Sequence, residues 1–168
     1  MQSTATKPPA KTPVINPRLI VPFVNSVREV FSKMVGVETT VLPSQIKGAP
    51  CPSYDVSGII GFSGEVVGSV VVSFQREAAI KLVNSLAGMQ IEFGTPDFAD
   101  AVGELTNMIA GSAKKDLNAL ANISIPSVII GSGHIVARLS EVPCIVIPCK
   151  TPVGDFAVEV NIKQTISS

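Results

Sequence analysis

Several features that mark self-contained reactive sites are scarce or missing in this chain of 168 residues. It has one histidine and three cysteines, and Cys51, Cys144 and Cys149 form no CxxC pair. A metal site is therefore not expected, because structural zinc needs about four nitrogen or sulfur ligands. No Ser-His-Asp or Cys-His arrangement marks a nucleophile either. Any chemistry must come from other residue types.

The charge and hydropathy patterns exclude two further classes of protein. Lys plus Arg and Asp plus Glu both number 13, and no basic block occurs, so nucleic-acid binding is not expected. No apolar run approaches the roughly 20 residues that span a bilayer, so membrane insertion is not expected.

The first residues, MQSTATKPPAKTPVINP, lack the apolar centre of a signal peptide. Their composition predicts a disordered leader over residues 1–15, followed by one domain over residues 16–168. An odd cysteine count without a secretion signal favours reduced thiols and a cytoplasmic location.

Periodicity predicts three helices along the chain. The first lies within NPRLIVPFVNSVREVFSKMVG, with Pro22 in its first turn and Gly36 as C-cap. Its predicted core face consists of Phe23, Val27, Val30, Phe31 and Met34. A second helix ends at Gly88, and a third, longer one begins after the N-cap Thr95.

The remaining segments predict strands and turns. VETTVLP is a predicted strand and SQIKGAPCPS a loop. One hairpin is expected to turn at Ser63–Gly64, and another near Pro152–Gly154. The strand ISIPSVIIGSG lies between the third helix and the second hairpin.

The order of these elements indicates an internal duplication. Each half contains a helix, a strand and a hairpin, and Asn25 in PFVN aligns with Asn107 in ELTN. The predicted fold class is α+β, with two long helices packed on a mostly antiparallel sheet.

The segment DAVGELTNMIAGSAKKDL carries the strongest candidate site. Helical projection places Phe98, Val102, Leu105, Ile109 and Leu120 on one side of the third helix, and Asp100, Glu104, Asn107, Gly111, Lys114 and Lys115 on the other. By spacing alone, Glu104 and Asn107 would simply be a solvated face. However, Asn is a mild liability inside a helix, and Gly111 costs about 1 kcal/mol relative to alanine. Gly111 would also leave room for another backbone beside the pair.

This helix resembles the signature helix of the CheC/CheX/FliY family of chemotaxis phosphatases, whose pattern is Asp or Ser, three residues, Glu, two residues, Asn. Here Asp100, Glu104 and Asn107 match it. The segments DVSGIIGFSGEVVGSVVVSF and ISIPSVIIGSGH also resemble the family, and the likeness is strongest to CheX. Family members with two sites carry both residues on both helices. The first helix here keeps Asn25 but has Pro22 in place of Glu, so the resemblance implies one working site.

The resemblance implies hydrolysis of the aspartyl phosphate on a CheY-like receiver. Asn107 would orient the attacking water, Glu104 would dock onto the receiver's active-site lysine, and Asp100 and Gly111 would help to bind the partner. The chain would need no cofactor of its own, because Mg²⁺ would belong to the receiver. A homodimer is also implied.

Two other hypotheses stay open. The chain could be a non-catalytic adaptor or a switch-type module that binds a receiver, or a structural oligomeric domain. Other candidate residues favour structural roles: His134 as a turn histidine, Gly131–Ser132–Gly133 as a bend, and the three cysteines as inert thiols.

Overall fold

The computed structural model describes residues 15–48 and 53–165. Within these ranges it contains three α-helices: α1 (Pro17–Val30), α2 (Arg76–Ala87) and α3 (Pro96–Asp116). A five-residue π-helical segment, Phe31–Val35, directly continues α1. The expected leader at 1–15 falls almost wholly outside the described residues, as does Cys51. None of the described helices is long and apolar enough to cross a membrane.

Eight described strands form a single antiparallel sheet. They are β1 (Thr40–Val41), β2 (Gln45–Ile46), β3 (Val56–Gly64), β4 (Val66–Phe74), β5 (Ala121–Ile123), β6 (Ser127–Ile130), β7 (Ile145–Thr151) and β8 (Gly154–Gln164). The main order is β1-β7-β8-β4-β3-β5, with β2 also paired to β7 and β6 to β3. The predicted α+β class with an antiparallel sheet is therefore confirmed.

The sheet has the symmetry expected of a duplicated chain. Strands β4 and β8 pair at its centre, and each belongs to a hairpin, β3-β4 or β7-β8. The short strands that follow α1 pair with β7, and those that follow α3 pair with β3. Each half thus supplies the edge strands for the hairpin of the other half.

Helices α1 and α3 lie side by side and run in the same direction. The Ser26 hydroxyl donates to the Ile109 carbonyl at 2.6 Å, and the Ser112 hydroxyl donates to Glu29 Oε2 at 3.3 Å. Both hydrogen bonds join residues 83 positions apart, and a constant separation of this kind requires parallel helices. The two helices that the duplication relates therefore share one seam.

The inner face of α3 sits unusually close to the sheet at one point. Thr106 is fully buried, its hydroxyl donates to the Val102 carbonyl at 2.8 Å, and its side chain lies over Gly58 of β3. A Cβ atom at Gly58 would overlap the Thr106 side chain. Only a residue without a side chain fits there, so this contact sets both the depth and the rotation of α3 on the sheet.

The end of the first helix departs from the sequence prediction. We expected Met34 on the core face, but Met34 is 55% exposed and Val35 is buried in its place. The π-helical segment is the reason: it widens the turn, so the next core position falls one residue later. Gly36 then ends the helix in the left-handed conformation, as predicted, with φ 70°.

Two helix predictions are wrong at the ends. Helix α1 begins at Pro17, capped by the Asn16 side chain, which leaves Pro22 buried inside the helix rather than in its first turn. Helix α3 ends at Asp116, and Asn118 takes a left-handed φ of 50°. Leu120 therefore lies beyond the helix and is 79% exposed, not part of the core face.

Strand predictions were right in type but imprecise in extent. The predicted strand VETTVLP reduces to β1, and the predicted loop after it contains β2. The first hairpin turns at Glu65, one residue later than predicted, and the second turns at Pro152–Val153, as predicted.

The face of the sheet away from the helices carries buried polar side chains among apolar ones, and the segment after β6 contacts it. Glu159 is only 4% exposed and pairs with Lys47, at 2.6 Å, and with Arg138. Asn161 accepts from the Leu139 amide and donates to the Leu139 and Val142 carbonyls. These contacts satisfy most of the buried polar groups on this face and hold the covering segment down.

Replacing Gly58 with alanine should destabilise the fold by about 1–3 kcal/mol or more, because the added methyl group overlaps buried Thr106. Urea unfolding measures the change. Gly61→Ala on the same strand is the matched control, since its Cβ would meet Ser124 at an ordinary 3.7 Å. Equal effects of the two substitutions would contradict the proposed role of the Gly58–Thr106 contact.

Candidate functional site

The candidate site lies on α3, whose start is well defined. The Thr95 hydroxyl accepts from the Phe98 amide at 3.3 Å, and Pro96 and Asp97 occupy the first turn, as predicted. This capping satisfies one of the unpaired amides at the helix start, and Asp97 favours the positive end of the helix dipole. The helix therefore has a well-defined first turn, and the site residues follow it along the chain.

The two sides of α3 differ sharply. The core-facing side is fully buried and consists of Phe98, Val102, Gly103, Leu105, Thr106, Ile109, Ala110 and Ala113. On the other side Asp100 and Glu104 are exposed, and Asn107 and Gly111 are half-buried. The structure therefore places all four predicted site residues along one stripe, which extends roughly 16 Å along the helix axis.

Glu104 and Asn107 are not used by the fold. In the part of the chain that the structure describes, neither side chain forms a hydrogen bond or an ion pair. A carboxylate offers acceptors only, whereas an amide offers both donors and an acceptor. The pair can therefore bind a cation with one side chain and position a water molecule with the other.

Gly111 leaves open space on the stripe. A Cβ atom built there would meet no heavy atom within 4 Å beyond its own helix. The residue is therefore not required by packing, in contrast to Gly103 on the buried side, where a Cβ would lie 3.2 Å from Pro126. The structure therefore leaves open space at Gly111 on this side of the helix.

A groove beside Asn107 was missed by sequence reasoning. It follows the seam between α1 and α3 and is lined on the α1 side by Glu29, Lys33 and Met34. Asn107 and Gly111 line the groove from α3, while Asp100 and Glu104 lie outside it. The sequence gives no clear sign of the π-helical segment, and a projection that assumes an ordinary α-helix places Met34 in the core.

The other candidates have structural roles. His134 joins the Gly131 carbonyl at 2.7 Å and the Ser57 hydroxyl at 2.8 Å, and Gly131–Ser132–Gly133 forms a bend and turn. Cys144 and Cys149 are buried, and burial raises the pKa of Cys149 to about 12. A thiol with that pKa stays protonated at neutral pH and is unreactive.

No group of three or more His, Cys, Asp or Glu side chains in residues 15–48 and 53–165 could hold a metal ion. The stripe on α3 itself offers the carboxylates of Asp100 and Glu104, the amide of Asn107 and a bare glycine.

Comparison with known proteins identifies the family. Residues 56–150 match the family model described as chemotaxis phosphatase CheX. The CheY-P phosphatase CheX of Thermotoga maritima is 32% identical over 120 residues, which cover 68% of this chain and 76% of that protein. The chain therefore belongs to the CheX family of chemotaxis phosphatases, as the motif on α3 predicted.

Solved structures show the same fold. The crystal structure of CheX from Desulfovibrio desulfuricans has a TM-score of 0.78 and 34% identity, covering 88% of this chain and 99% of that one. The CheX–CheY–BeF₃–Mg²⁺ complex from Borrelia burgdorferi has a TM-score of 0.72 at 22% identity, covering 87% and 98%. At that identity the second likeness shows the fold alone.

Alanine at Gly111 should raise the free energy of unfolding by about 0.5–1 kcal/mol, because it reduces the backbone entropy of the unfolded chain without a clash. Gly103→Ala on the same helix should raise the free energy of unfolding by a smaller amount, since Pro126 must shift to admit the methyl group. Urea unfolding of both variants measures the difference. A loss of stability in Gly111→Ala would show that Gly111 is needed by the fold.

Proposed function

We propose that this protein hydrolyses the aspartyl phosphate of a CheY-like response-regulator receiver. The observation that carries the proposal is the pair of exposed Glu104 and half-buried Asn107, whose side chains form no hydrogen bond or ion pair within the described residues. Membership of the CheX family supports it, as does the phosphatase name of the Thermotoga relative. The same name, CheY-P phosphatase, supports the choice of partner.

The proposed mechanism follows from what the two side chains can do. An acyl phosphate is already reactive, so hydrolysis mainly requires a water molecule held in line with the departing carboxylate. The Asn107 amide accepts a hydrogen bond from that water and donates one beside the phosphoryl group, which fixes the line of attack. An amide is not a base at neutral pH, so its contribution is orientation.

Glu104 has a separate role in the proposal. It lies about one helical turn before Asn107 on the same stripe, and its carboxylate pairs with the active-site lysine of the receiver. Asp100, one turn earlier, supports the docking at the edge of the interface. The Mg²⁺ belongs to the receiver, and this chain contributes no cofactor.

The assembly and location are further parts of the proposal. We expect a homodimer, because the family resemblance implies one and the short edge strands β5 and β6 leave a sheet edge open to pairing. We place the protein in the cytoplasm, where its thiols stay reduced and a receiver is accessible.

Asn107→Ala should reduce the acceleration of receiver dephosphorylation by about 100-fold or more, because the water loses its orientation. Phosphate release from a phosphorylated CheY-like receiver with Mg²⁺ measures the rate. Asn25→Ala is the matched control: Asn25 is the exposed counterpart on α1, where buried Pro22 replaces the glutamate. An unchanged rate in Asn107→Ala, or an equal loss in Asn25→Ala, would refute the assignment of the working site.

Glu104→Ala should mainly weaken docking, raising KM by about 10-fold, since an interfacial ion pair of this kind contributes roughly 1–2 kcal/mol. Initial rates over a range of receiver concentrations separate KM from kcat. Glu104→Gln should recover part of the affinity through a neutral hydrogen bond. A receiver that binds tightly yet loses phosphate at its own rate would instead identify the protein as a non-catalytic adaptor.

A further inference from the structure

The groove between α1 and α3 has a volume of about 430 Å³ and opens directly beside Asn107. Two independent features create it. Gly111 contributes no side chain, and the π-helical segment turns Met34 out of the core and over the seam. Loss of either feature would close or reshape the groove, yet packing of the fold requires neither an outward-facing Met34 nor a glycine at position 111.

Apolar side chains from both helices form part of the lining of the groove. Met34 is 55% exposed, and Met108, which is half-buried, lines the groove from α3. Methionine is flexible and polarisable, and exposed methionines are common on surfaces that bind partner proteins. An apolar side chain from a partner would gain roughly 25 cal/mol for each Å² of apolar surface that it removes from water here.

Four charged residues line the groove, and two of them, Glu29 and Lys33, form an ion pair, whereas Lys115 and Asp116 form none within the described residues. Glu29 accepts from Lys33 at 2.8 Å and from Ser112 at 3.3 Å, and Lys115 lies on the same rim. The hydrogen bond from Lys33 is the largest cause that lowers the pKa of Glu29, with Ser112 and Lys115 adding to it. The Glu29 carboxylate therefore stays ionised at neutral pH and is already paired with a cation of this chain.

The position of the groove indicates its occupant. Asn107 lies between Glu104, on one side along the helix, and the groove, on the other. A protein that presents a phosphorylated aspartate to Asn107 must therefore also cover the start of the groove. The surface next to its phosphorylation site is the part that reaches Met34 and Gly111.

We infer that the α1–α3 groove seats an apolar side chain from the receiver loop beside the phosphorylated aspartate, and that it determines which receivers are bound. The inference rests on the proposed function and adds a binding determinant on α1 that the motif on α3 does not contain. The groove contributes affinity and selectivity, while Asn107 orients the water. Changes to the groove away from Asn107, such as those at Met34, should consequently alter KM and leave kcat unaffected.

Met34→Glu tests this division of roles in the full chain. It should raise KM for the phosphorylated receiver, and the Kd for the same receiver loaded with BeF₃⁻, by about 10-fold, with kcat within about twofold of the parent. Met89→Glu is the matched control, because Met89 is 64% exposed at the far end of α2 and lies outside the groove. Met34→Leu keeps an apolar side chain and should retain parental affinity.

Gly111→Leu provides a second test from the opposite wall. The added side chain meets no atom within 4 Å at its Cβ, so the protein should fold while the groove is filled and KM rises. Equal KM and Kd values in Met34→Glu, Gly111→Leu and Met89→Glu would overturn the inference while leaving the phosphatase proposal intact.

The two proposals fail in different ways. If the parent binds the BeF₃⁻-loaded receiver without accelerating phosphate release, the phosphatase proposal fails. The Kd values of the groove variants then decide alone whether the groove binds the receiver. If the parent neither binds nor dephosphorylates any receiver of its organism, both proposals are refuted. If Met34→Glu changes only the mass measured by light scattering, the groove instead holds a second copy of this chain, and the inference is wrong.

Discussion

The close contact between Thr106 and Gly58 is the constraint on which the geometry of the site depends. It presses α3 against β3 at Gly58, a strand position without a side chain, and it allows little rotation of the helix about its own axis. Because Thr106 must face the sheet, its neighbour Asn107 and the residue two positions before it, Glu104, are directed toward the outer surface. A small residue in the core thus determines where polar groups appear on the surface.

Parallel packing of α1 and α3 places the end of α1 beside the site residues of α3. The duplicated chain brings two related helices into one seam, but their sequences have diverged at the positions that matter. On α3 the stripe keeps a carboxylate, an amide and a bare glycine; on α1 the corresponding segment has buried Pro22 and a π-helical end. The second helix has not become inert, since its end forms one wall of the groove beside Asn107. Divergence of the repeat changed one potential site into support for the other.

The sequence was sufficient for the class of fold, the caps at Thr95, Gly36 and Gly88, and the outward stripe on α3, because each depends on local chemistry or strict periodicity. It failed at Met34 because a π-helical turn changes the phase of a helix without a clear local signal. It failed at Leu120 because apolar periodicity continued past the true helix end. The groove could not be predicted, since it requires the relative placement of two helices distant in the chain.

The exchange of edge strands between the halves has a consequence for folding. Thr40 pairs with Lys150, and Val56 pairs with Ile130, so neither hairpin is flanked until most of the chain has been made. Contacts between such distant residues close large loops, and proteins dominated by them fold slowly. Neither half can complete its own sheet in isolation. Each half therefore depends on the other for the strands that flank its hairpin.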